Sequence, residues 1–124
     1  MDQSNRGGVR FAEIQSILNR LIEGRKPHDL TIVHSDPHFG WDTLAQLKGV
    51  VVHPDGPDGP AYPLIDMELV RQKRGDETNL VKALSDPTGV DSYGQMPYRP
   101  PPGRYATSEE IQKIIGWLNS GMPE

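Results

Sequence analysis

Cysteine is missing from this 124-residue chain, so no disulfide can brace it and its core must hold by burial alone. The absence says nothing of compartment, because a cysteine-free domain suits reducing and oxidising surroundings alike. Aromatic residues are scarce at 6%, and a hydrophobic fraction of 35% limits the core to a modest one. No apolar run approaches the roughly 20 residues that cross a bilayer. The opening Met1-Asp2-Gln3-Ser4-Asn5-Arg6 is polar and lacks the apolar stretch of a secretory signal. The expectation is no membrane association and a cytoplasmic location, unless a leader has been removed. Basic residues are too scattered for a nucleic-acid binder: 13 Lys and Arg stand against 17 Asp and Glu, a net charge of −4. Their densest group, Arg71, Lys73 and Arg74, is answered by Asp76 and Glu77. Catalytic frames are missing too. There is no Walker motif, no Gly-x-Gly-x-x-Gly and no Gly-x-Ser-x-Gly around Ser35, Ser85, Ser92, Ser108 or Ser120, so nothing positive supports an enzyme.

What is plentiful is glycine and proline, 13 and 12 residues, which point to long irregular segments between short elements. Residues 1–8 read as a disordered lead-in and 9–124 as one domain. A first helix is expected from about Val9 to Glu23, where Phe11, Ile14, Ile17, Leu18, Leu21 and Ile22 fall on one stripe. Gly24 ends it and Pro27 prevents its resumption. Residues 25–41 read as a loop holding a β-prone Leu30-Thr31-Ile32-Val33. Thr43 and Gln46 form a capping box for a second short helix that Gly49 closes. Val50-Val51-Val52 leads into a turn-rich octapeptide, His53 to Pro60, and Pro63-Leu64-Ile65-Asp66 re-enters the core. Short helices are expected within Met67 to Arg74 and Glu77 to Leu84, with Asp86-Pro87 as the stop. The stretch 85–106 reads as irregular, with polyproline II at Pro100-Pro101-Pro102. The last helix is the best marked: Thr107 caps it, Glu110 completes the box, Ile111, Ile114, Ile115 and Leu118 form its stripe, and Gly121 terminates it. Helices at both ends and short helices between them predict an all-α domain with long loops, its terminal helices packed on each other.

His34-x-x-x-His38, with His28 and Asp36 nearby, has metal-ligand spacing, but Asp36-Pro37 argues against the helix such spacing needs. Asp55-Gly56-Pro57-Asp58-Gly59 lacks the twelfth-position ligand of a calcium loop and reads as a solvated turn. Tyr98, Arg99, Pro100, Pro101, Pro102 and Tyr105 form a pre-ordered segment flanked by aromatics, a candidate for docking in a partner's groove or for a rigid linker lying on the surface.

The chain's last thirty residues combine Gly94-Gln95-Met96-Pro97, a proline-rich linker, the capped helix with Trp117-Leu118, and Gly121-Met122-Pro123. That series resembles the C-terminal end of bacterial cytochrome c domains. Val9 to Leu18 resembles their first helix. Pro63-Leu64-Ile65 followed by Glu77-Thr78-Asn79-Leu80-Val81-Lys82-Ala83-Leu84 resembles their middle. The resemblance implies a helical fold whose first and last helices cross, with Met96 in the position of an axial haem ligand. The attachment motif departs from the family. Placed by helix spacing, it falls on Ile22-Glu23-Gly24-Arg25-Lys26 and leaves no histidine. Placed on His34-Ser35-Asp36-Pro37-His38, it leaves His38 and Met96 as a His/Met pair, both cysteine positions being changed.

The resemblance implies two functions. The leading one is a haem-free accessory or interaction domain, without cofactor, associated with a protein partner such as a redox enzyme. Phe39, Trp41 and Met96 would then fill the volume of the absent porphyrin. The alternative is electron transfer through a non-covalently held haem ligated by His38 and Met96.

Overall fold

The computed structural model describes residues 8–24, 26–56, 58–90, 95–97 and 105–124. Residues 1–7 of the expected lead-in lie outside them; Gly8, its last residue, is exposed and outside any regular element. The first helix, α1, runs Phe11–Leu21 and buries Phe11, Ile14, Ile17, Leu18 and Leu21, the stripe its spacing predicts. The last, α6, runs Ser108–Asn119, opened by the capping box of Thr107 and Glu110 and burying Ile111, Ile114, Trp117 and Leu118.

These two helices are packed on each other. Phe11 stacks on Trp117 with ring centroids 6.2 Å apart. Arg20 Nε and Nη2 donate to the two carboxylate oxygens of Glu110, and Lys113 Nζ pairs with Glu13 at 3.0 Å. Gly121 lies at φ +89°, the left-handed turn that ends α6. The chain then doubles back, so that the Pro123 carbonyl accepts from both the Phe11 amide and Trp117 Nε1, at 3.0 and 2.8 Å. Met122 is carried into the core by the same reversal.

The all-α expectation is corrected. Among the described residues, six α-helices accompany a short antiparallel ribbon, β1 (Val51–Val52) and β2 (Tyr62–Pro63), with Val51 opposite Pro63 and Val52 opposite Tyr62. The fold is mixed helix and strand. Three β-branched residues at 50–52 favour extended backbone, and within the ribbon the Val50 carbonyl accepts from Leu64 N at 3.1 Å while Val52 pairs with Tyr62. Its flanks are covered by side chains and neighbouring backbone. On the β1 flank, Val51 N donates to Asp36 Oδ2 at 3.2 Å and His53 N to the His34 carbonyl at 2.9 Å. On the β2 flank, Asn79 Nδ2 donates to the Pro63 carbonyl and Leu80 N to the Leu64 carbonyl, both at 2.9 Å.

A second correction concerns 25–41. The β-prone run lies inside a helix, α2 (Pro27–Val33), rather than a loop. Pro27 occupies its first turn, where a missing N–H costs nothing, and Asp29 faces the positive end of the helix dipole. Those local signals outweigh the β preference of Thr31, Ile32 and Val33. The remaining helices are short: α3 (Leu44–Lys48), α4 (Met67–Arg71) and α5 (Asn79–Ser85), capped by Thr43, Asp66 and Thr78 respectively. A 3-10 turn at Gly75–Glu77 precedes α5 and presses against α6, with Gly75 N donating to Asn119 Oδ1 at 2.8 Å. No helix among the described residues is long and apolar enough to cross a membrane.

Candidate functional site

A cavity of about 680 Å³ opens between α1 and α5 on one side and α2 with the ribbon on the other. Its size falls within the roughly 300–1,000 Å³ of small-molecule sites. Leu18, Leu21, Leu80 and Leu84 supply apolar walls from the two helices, and Phe39, Trp41 and Tyr62 supply flat ones. His34 from α2's end and Met96 from the segment after α5 also line it. The expectation that Phe39, Trp41 and Met96 fill this volume is therefore corrected: they wall an open space. Trp41 is held on the wall: its indole N–H donates to Asn19 Oδ1 at 2.8 Å and its carbonyl accepts from Gln15 Nε2 at 2.9 Å.

The aromatic wall is built by one short segment. His34 closes α2 one helical turn after Leu30, and its Nδ1 lies 2.7 Å from the Leu30 carbonyl. A carbonyl only accepts, so Nδ1 carries the proton and donates, leaving Nε2 with its lone pair. Ser35 at φ +50° reverses the chain. Asp36 then spans the turn: Oδ1 accepts from His38 N at 2.9 Å, Oδ2 from Val51 N, and its carbonyl from Phe39 N at 3.0 Å. The reversal lays Phe39 flat on His34, with centroids 3.9 Å apart and planes within 6°. Trp41 meets Phe39 edge-on at 5.8 Å. Burial pushes the His34 imidazole below its ordinary value, against the Leu30 carbonyl and the Asp36 carboxylate, which act in the other direction. The ring is accordingly neutral at pH 7.

The two donor candidates from the sequence are placed differently. Met96 is on the cavity wall, its amide donating to the Ala83 carbonyl at 2.6 Å while Gln95 Nε2 donates to the Leu84 carbonyl at 3.0 Å. His38 is exposed and is not among the lining residues. Of the candidate docking segment, Tyr98, Arg99, Pro100, Pro101 and Pro102 lie outside the described residues, and Tyr105 is exposed.

No family model matches this chain, and neither a curated protein nor a solved structure matches it.

Sequence reading misses His34 as a wall residue because it misses α2. The signals for that helix are present, Pro27 at its start and Asp29 in the first turn, and they place Leu30 and His34 on one face. Among the described residues, no three His, Asp or Glu side chains gather into an all-protein metal site.

Proposed function

We propose that this chain holds a haem non-covalently in the cavity between α1, α5 and α2, and serves as an electron carrier. The observation that carries the reading is the open, aromatic-walled space where a filled core was expected, with a thioether on its wall. The residues suit the group. Phe39, Trp41 and Tyr62 offer flat faces to a flat ring, the leucines of α1 and α5 exclude water from it, and Met96 offers a soft sulfur donor. Haem would supply a reversible one-electron couple there.

The protein's own contribution is preorganisation. Asn19 and Gln15 fix Trp41, Asp36 fixes the turn that carries Phe39, and the Ala83 carbonyl fixes Met96. Trp41, Phe39 and Met96 are thus set before a ligand arrives, which lowers the ordering cost of binding. The haem-free accessory domain is the competing reading.

Titration of the purified protein with haemin separates the two. The carrier reading expects a saturable one-to-one complex with a shifted Soret band, reducible and reoxidisable without loss of haem. A haemin spectrum that never saturates, or that matches haemin in buffer, would refute it.

A further inference from the structure

We propose that His34, and not His38, is the nitrogen donor toward the haem iron. The inference rests on the haem-carrier reading and assigns a residue to it.

His34 lines the cavity, whereas His38 is exposed one turn of chain further on. His53 is half-buried, with Nδ1 buried and without a hydrogen-bond partner, but it is not among the lining residues, although its neighbours Val52 and Pro54 are. The Leu30 carbonyl engages Nδ1 of His34 at 2.7 Å and fixes the tautomer in which Nε2 keeps its lone pair. Histidines that bind metals characteristically donate their other N–H to a carbonyl or carboxylate, which sets ring orientation and raises basicity. That second partner is already in place here.

Stacking on Phe39 at 3.9 Å restricts the ring plane, and the His34 carbonyl is tied to β1 through His53 N. The imidazole therefore loses little freedom on coordination. His38 is held through its backbone instead, its amide by Asp36 and its carbonyl by Gln46. Coordination would be a ligand exchange, Nε2 of His34 taking the place of a water or chloride with no change of oxidation state.

The test uses haemin with the full chain and four proteins: wild type, His34→Ala, His34→Phe and His38→Ala. The His34→Phe variant keeps a flat ring against Phe39 but has no donor nitrogen, so it controls for lost packing. Wild type and His38→Ala are expected to give the same low-spin spectrum by absorption and electron paramagnetic resonance. Both His34 variants are expected to lose it and to release haemin to apomyoglobin at least about tenfold faster, as disrupted ligand shells do. Free imidazole is expected to restore the low-spin signal in His34→Ala alone, through the space left behind. An unchanged spectrum in both His34 variants, or its loss in His38→Ala, overturns the assignment while leaving haem binding intact. A wild-type protein that takes up no haemin overturns the carrier reading and this inference together.

Discussion

Arg20 on α1 and Glu110 on α6 join the two terminal helices through a two-pronged guanidinium–carboxylate contact. The same carboxylate also accepts from the Thr107 amide at 2.9 Å, so one side chain both closes the cap of α6 and binds it to α1. Burial works against the charge on Glu110, but the Arg20 guanidinium and the Thr107 amide outweigh it and hold the carboxyl below its usual value. The folded state therefore prefers the ionised form. The stabilisation is complete above the unfolded carboxyl value of 4.5 and is lost as pH falls through the lower folded value. Arg20→Ala is expected to cost about 1 kcal/mol at neutral pH, the pair being partly solvated. It should also flatten the fall in stability between about pH 5 and pH 3. Urea melts of both proteins across that range check it.

Gly75 is the tightest contact between the 3-10 turn and α6. A Cβ there would sit 2.7 Å from Leu118 Cβ and 3.0 Å from Asn119 Oδ1. Gly75→Ala is expected to destabilise by about 1–3 kcal/mol, since helix or turn must shift. Gly116, on the exposed side of α6, has nothing within 4 Å of its would-be Cβ. Gly116→Ala is expected to stabilise by about 0.5–1 kcal/mol through helix propensity. Thermal melts of the two variants should move in opposite directions.

Thr78 is fully buried and serves two elements at once. Its hydroxyl donates to the Gly75 carbonyl at 2.7 Å and accepts from Val81 N at 3.4 Å. Thr78→Val keeps the shape and loses both contacts, for an expected cost of about 1–2 kcal/mol. Thr78→Ser is expected to lose less, because the hydroxyl remains. Chemical denaturation of the pair tests whether the oxygen or the methyl group matters more.

Ala83 projects from α5 onto the cavity, and its carbonyl anchors Met96. Ala83→Phe should occupy the space while leaving that backbone bond in place. The variant is expected to abolish haemin binding and to keep the far-ultraviolet circular dichroism of the parent. Saturating haemin should raise the melting temperature of the wild type, by about 2.7 kcal/mol of added stability at a hundred times Kd, and leave the variant unmoved. A variant that binds haemin as the parent does would place the ligand elsewhere.

Much of the helical frame is legible in the sequence because its signals are local. The stripe from Phe11 to Leu21 repeats every three to four residues, and Thr43 and Thr107 each announce a helix with the capping partner three positions on. The ribbon is not legible. Each strand is two residues long, the partners are separated by the turn-rich octapeptide, and the flanking contacts come from Asp36 and Asn79, distant in sequence. Thr78 is hidden for a different reason. It lies inside a stretch that reads as continuous helix, whereas the chain makes a 3-10 turn first and uses Thr78 as the cap of α5. At the site, the sequence singles out Phe39, Trp41 and Met96 by residue type. Whether three such side chains plug a space or line it depends on their anchors, Asn19, Gln15 and the Ala83 carbonyl, and no local pattern encodes those.

The covered flanks of the two-stranded ribbon bear on how this protein behaves in crowded solution. A strand whose outward amides and carbonyls are bare is a template on which a second chain can add and propagate. Here the outward amides of Val51 and His53 and the outward carbonyls of Pro63 and Leu64 already have partners within the same molecule. Asp36 covers the Val51 amide, and its loss is expected to be visible first as slow turbidity at high concentration.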